Sequence, residues 1–132
     1  MAGHNDLGRR GEEEACRYLA EHDYRLLDRN WRHAHLEIDI VAEYYGELVF
    51  VEVKTRSDAD AAEDAARLSP EKRERLLRAA RIYMAYDRTD RPYRFDVIAI
   101  RPEGGTFGIE HFKNAFGVPG TAETHNHTHH GH

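Results

Sequence analysis

The sequence predicts an α/β domain, a mixed sheet of about five strands flanked by helices in the order α-β-β-β-α-β-β. Three observations carry this. Leu7 to His22 repeats its apolar residues at helical spacing. Two strand-like runs, His35 to Ala42 and Leu48 to Thr55, are separated only by a turn. Ser69-Pro70-Glu71-Lys72 has the composition of a helix start.

In the first helix Glu12, Ala15, Cys16 and Leu19 fall at i, i+3, i+4 and i+7, so an acid lies on the apolar face. Asp23-Tyr24 is a turn, and Arg25 to Trp31 is a short first strand. In the second strand Leu36, Ile38 and Ile40 alternate with Glu37, Asp39 and Val41. Gly46 is free to take positive φ in the turn that follows, which makes the next connection a hairpin. The third strand, Leu48 to Thr55, is rich in β-branched and aromatic residues. Residues 56–69 are polar and alanine-rich, and read as a mobile loop or weak helix. The second helix starts with Ser69 as N-cap and Pro70 in the first turn. It runs to about Tyr86 with Leu76, Leu77, Ala80, Tyr83 and Met84 on its apolar face. Arg94 to Ile100 and Phe107 to Phe112 are the last strands, joined through Gly104-Gly105. One domain over 1–118 is expected, followed by a disordered histidine-rich tail over 119–132 that is either native or an affinity tag.

The composition narrows the class. Charged residues are 33% of the 132-residue chain, and no apolar run approaches the roughly 20 residues of a membrane helix. The first ten residues hold no apolar stretch of a secretory signal. The single cysteine, Cys16, excludes an intrachain disulfide, so a cytoplasmic setting is expected. The net charge of −5 is unevenly spread: residues 1–66 carry −8, residues 67–94 carry +5 and residues 95–132 carry −2. Carboxylates gathered at a metal site would account for the acidic part and phosphate contacts for the basic one; solvated helix faces of unlike sign would do so equally.

The chemistry concentrates in the second and third strands. Residues two apart on a strand face the same way, so Glu52 and Lys54 project together from an otherwise apolar run, Leu48-Val49-Phe50-Val51-Glu52-Val53-Lys54. A charge so placed is costly unless it is paired or bound. Asp39 lies across the tight turn and can sit beside Glu52. Two carboxylates and a lysine suit phosphodiester hydrolysis: hard oxygens hold Mg2+ or Mn2+, and the lysine orients water and balances charge on phosphate. Only three lysines occur beside sixteen arginines, and one of them is at 54. Glu12 is a candidate further acid, or else pairs with a neighbour such as Arg9. A surface salt bridge between Glu52 and Lys54 remains the simplest alternative reading.

Several segments together resemble the bacterial YraN family of small endonuclease-like proteins. They are Gly8-Arg9-Arg10-Gly11-Glu12-Glu13-Glu14-Ala15, Asn30, Glu37-Ile38-Asp39-Ile40-Val41-Ala42, Leu48 to Arg56, Lys72, Arg94 to Ile98, and Asn114-Ala115-Phe116. Leu36 stands where that family usually has glycine. The family is in turn similar to the PD-(D/E)xK nucleases, with their restriction-endonuclease-like fold, and to Holliday junction resolvases. The resemblance implies that Asp39 and Glu52 are metal ligands, with the main-chain carbonyl of Val53 as a further one. It implies that Lys54 is the catalytic lysine and Glu12 an accessory acid. The expected activity is metal-dependent hydrolysis of duplex or branched DNA, and a catalytically silent binding module with the same fold is the alternative.

Other residues are secondary. Lys72, Arg73 and Arg75 on the second helix, and Arg56 after the third strand, are the expected contacts to a DNA backbone, with Lys72 placed to reach the site. Trp31, Tyr44 and Tyr45 read as core or turn residues before base-stacking ones, and His33 and His35 make a poor zinc site beside hard acids. A homodimer would allow two strands to be cut, and nothing in the sequence requires one.

Overall fold

The computed structural model describes residues 2–56, 67–88, 90–116 and 128–130. Helix α1 (Ala2–Glu21) is followed by strands β1 (Arg25–His33), β2 (Leu36–Tyr44) and β3 (Glu47–Thr55), helix α2 (Pro70–Asp87), and strands β4 (Tyr93–Glu103), β5 (Thr106–Phe112) and β6 (Thr128–His130). The sheet order follows the chain from β1 to β6, and only the β3–β4 pair is parallel. The expected mixed α/β order is present, extended by the three-residue β6 on the edge of β5. Residues 57–66, which form most of the predicted loop, and most of the tail expected to be disordered lie outside the described residues.

Local sequence explains the element boundaries. Ser69 caps α2, its hydroxyl accepting from the Lys72 amide at 3.1 Å, with Pro70 in the first turn. The β1–β2 hairpin turns at Ala34-His35 with positive φ only at Ala34 (54°), whereas the other two tight hairpins use two residues with positive φ, Tyr45-Gly46 (47° and 86°) and Gly104-Gly105 (49° and 91°). This backbone matches the twist of the strands it joins.

The sheet is buried on both faces. Phe50, Phe95, Val97 and Leu48 pack with Leu76, Leu77, Ala80 and Tyr83 of α2. Val49, Val51, Ile98 and Ile100 pack with Ala15, Cys16 and Leu19 of α1. Strand β2 changes sides along its length: Leu36 and Ile38 join the α2 layer, whereas Ile40 and Ala42 join the α1 layer. A regular strand would keep all four on one face, so the changeover falls at Asp39. The facing strand is kinked at the same level, because Asn30 has φ 50° between the pairs Arg29↔Ile40 and Trp31↔Ile38.

Candidate metal and nucleic-acid site

Strands β2 and β3 pair from Tyr44↔Glu47 to Ile40↔Val51. Past that point the carboxylate of Asp39 accepts a hydrogen bond from the Val53 amide at 2.9 Å. An acid at the changeover of β2 is thereby fixed beside the end of β3. A cleft of about 670 Å3 opens there between the start of α1 and the ends of β1, β2 and β3. Glu12, Asn30, Glu37, Asp39, Glu52 and Arg56 are among its lining residues.

Helix α1 reaches this end of the sheet because residue 11 is glycine. A β-carbon at Gly11 would lie 2.2 Å from Oγ1 of Thr55, so any larger residue would force the Thr55 side chain to turn or the helix to move from β3. Glu12 follows immediately and shares a hydrogen bond with Asn30. Arg9, the alternative partner, instead pairs with Asp6 at 2.8 Å.

The charges are unevenly balanced. Glu52 is buried, and Oε2 meets Nζ of Lys54 at 3.0 Å and Nζ of Lys72 at 3.5 Å. Asp39 has no such cation among the described residues. Burial, then the neighbouring Glu52 carboxylate, raise its pKa to about 7 against the Val53 hydrogen bond, and Glu12 and Glu37 push the same way. Burial also raises Glu12, against its bond to Asn30 and the charge of Arg29.

The structure brings Glu12, Asp39, Glu52 and Lys54 to one end of the sheet, and Lys72 reaches them from the first turn of α2. Arg56 is exposed at the cleft and donates to the Thr55 carbonyl. Arg73 is half-buried with Nε on the Leu68 carbonyl, and Arg75 is exposed. Trp31 is half-buried between Tyr83 and His33, Tyr44 stacks on Tyr24, and Tyr45 is exposed at the hairpin turn. As the side chains stand, no three acidic, histidine or cysteine groups among the described residues converge closely enough to hold a metal ion.

Sequence reasoning missed a second polar cluster, buried under α1. Asp96 accepts from Nε of Arg94 at 3.0 Å and from the Asn114 amide at 2.9 Å, and its other oxygen meets Nε2 of His111 at 2.7 Å. Nδ1 of His111 meets the Tyr18 hydroxyl at 2.9 Å, and Arg94 also donates to Tyr24 and Glu47. The available signal was an acid inside the apolar run Phe95-Asp96-Val97-Ile98, the same kind of signal that marked Glu52.

The model of Uncharacterised protein family UPF0102, the YraN family, matches residues 11–100. The chain belongs to this family. Among its relatives, a UPF0102 protein of Bacteroides fragilis is 49% identical over 119 residues, covering 90% of this chain and 98% of the relative. One from Bacteroides thetaiotaomicron is 48% identical with the same coverage. One from Oleidesulfovibrio alaskensis is 48% identical over 101 residues, 76% of this chain and half of that longer protein. The match to UPF0102 spans Glu12, Asn30, Asp39, Glu52, Lys54 and Lys72. No helix among the described residues is long and apolar enough to cross a membrane.

Proposed function

We propose that this UPF0102 protein is a divalent-metal-dependent nuclease that hydrolyses phosphodiester bonds in DNA, duplex or branched, in the cytoplasm. The observation that carries the reading is Asp39, a carboxylate raised to about 7 by burial and by other carboxylates that line the same cleft. Uncompensated acids of this kind favour a bound cation. The donor set fits a hard ion, Mg2+ or Mn2+, in its chemistry: Asp39, Glu52, the Val53 carbonyl and Glu12 offer only oxygens. Side-chain rotation is needed to gather them, since Glu52 is turned to its lysines. When bound, such an ion neutralises phosphate charge and lowers the pKa of a coordinated water.

The chain's own residues then have separate tasks. Lys54, half-buried beside Glu52, holds a fixed positive charge where the phosphate gains negative charge. Glu12 and Asn30 line the cleft side by side, and Asn30 favours the ionised form of Glu12. Arg56, Lys72, Arg73 and Arg75 supply cations for the DNA backbone, and a homodimer would present two such clefts to a duplex.

A second reading, a binding module with the same fold that does not turn over, is favoured by the lysine-occupied Glu52 and the absence of a preassembled metal site among the described residues. The test is cleavage of linear duplex, single strand, flap and four-way junction DNA with Mn2+ or Mg2+, wild type beside Asp39→Ala and Lys54→Ala. Metal-dependent cuts by the wild type that fall at least a hundredfold in both variants are expected. A folded protein that binds these DNAs but never cuts them is the binding module.

A further inference from the structure

Glu52 is held by two lysines of different origin. Lys54 is on the same strand, two residues away, and its ammonium is 3.0 Å from Oε2. Lys72 belongs to the first turn of α2 and is 3.5 Å from that same oxygen. The backbone under Lys72 is pinned, because its amide donates to the Ser69 hydroxyl and Arg73 donates to the Leu68 carbonyl. Its side chain is 28% exposed, against 7% for Glu52. The main chain is therefore fixed while a long, flexible side chain is free to withdraw toward solvent.

A buried carboxylate without a cation is strongly unfavourable. The two lysines meet this need, and a divalent ion must compete with them for the same oxygen. The two lysine side chains are similarly exposed, 28% for Lys72 and 24% for Lys54, so the longer contact, 3.5 Å against 3.0 Å, marks Lys72 as the one to leave. We propose that Lys72 is a stand-in cation for Glu52: it holds the carboxylate while no divalent ion is bound, leaves it when one binds, and is then free to take a phosphate oxygen in the cleft. The inference rests on the metal-dependent reading above and adds an order of events to it.

The consequence is coupling. An ion binding alone must break the Lys72–Glu52 pair, with no new partner for the ammonium. An ion binding together with a phosphate gives Lys72 an anion in exchange. The two ligands must then strengthen each other's binding by the same factor.

The test measures Mn2+ binding to the full-length protein by calorimetry, alone and with saturating thymidine 5′-monophosphate as the phosphate probe. In the wild type the nucleotide should tighten Mn2+ about threefold to tenfold. Lys72→Gln should bind Mn2+ alone more tightly by a similar factor and lose the tightening by nucleotide. Arg81→Gln removes an exposed cation farther along α2, outside the residues that line the cleft, and should do neither. Equal Mn2+ affinity in wild type and Lys72→Gln, equal tightening in both, or the same change in Arg81→Gln would each overturn the inference while leaving a metal site in place. Absence of Mn2+ binding to the folded wild type in both conditions would remove the metal-dependent reading itself.

Discussion

At the scale of single residues, Asp39 makes a prediction that needs no substrate. Its carboxyl is raised to about 7 in the folded protein, whereas the unfolded chain releases that proton near the ordinary aspartate value. Between those values the folded state binds more protons than the unfolded one, so this residue's contribution to stability falls as pH rises through about 7. Asp39→Asn cannot ionise, and its amide oxygen can still accept from the Val53 amide. It should therefore stabilise the chelator-treated protein at pH 8 by on the order of 2 kcal/mol and change little near pH 4. Mn2+ should raise the melting temperature of the wild type at pH 8 and leave that of Asp39→Asn unmoved. Thermal denaturation at the two pH values, with and without Mn2+, reads both effects. A variant less stable than wild type at pH 8 would mean that Asp39 is not an uncompensated acid.

At the scale of elements, the decisive contact is α1 on β3. Gly11→Ala would set a β-carbon 2.2 Å from Oγ1 of Thr55, so either the Thr55 side chain must turn away or the helix must move from the strand end that carries Val53 and Lys54. The substitution should cost about 1–3 kcal/mol and weaken Mn2+ binding, because Glu12 moves with its helix. Thr55→Ala in the same chain should restore most of both, and urea denaturation of the two single variants and the double variant measures the coupling. The elements themselves were largely legible in the sequence. Ser69-Pro70 marked the start of α2, Gly46 marked the hairpin, and the acid and lysine in an apolar strand marked β3. The close approach behind Gly11 was not legible, since a glycine in a helical run shows nothing of what faces it. Nor was the change of faces in β2. Strict alternation from Leu36 to Ala42 assigns Ile38 and Ile40 to one side, and the kink at Asn30 and Asp39 places them on two. The pairing of Asp39 with the end of β3 was legible from the short turn. The contact between Glu52 and Lys72 was partly so: a lysine at a helix start could be seen to reach the site, whereas its partner is set by how α2 crosses the sheet.

At the scale of the whole molecule, carboxylates have been placed in two environments with opposite consequences. At the cleft, burial and neighbouring carboxylates raise Asp39 and Glu12. Beneath α1, Asp96 is fully buried, and its bonds to His111 and Arg94 outweigh burial and hold its pKa below the ordinary range. Its ionised form therefore supports the fold above the ordinary aspartate value, and that support is lost as pH falls through the lowered value. The network joins α1 through Tyr18, the following turn through Tyr24, the start of β3 through Glu47, and strands β4 and β5. Removing its central acid strands Arg94 and His111 together, so Asp96→Ala should cost about 3–5 kcal/mol, and Asp96→Asn, which keeps an acceptor and the volume, distinctly less. The two clusters should separate cleanly in one experiment. Asp96→Asn should melt earlier than the wild type and still gain stability from Mn2+, whereas Asp39→Asn should melt later and gain none. If Asp96→Asn also loses its response to Mn2+ while remaining folded, the buried network helps to shape the cleft from the other end of α1, and the division between scaffold and site drawn from these contacts is wrong.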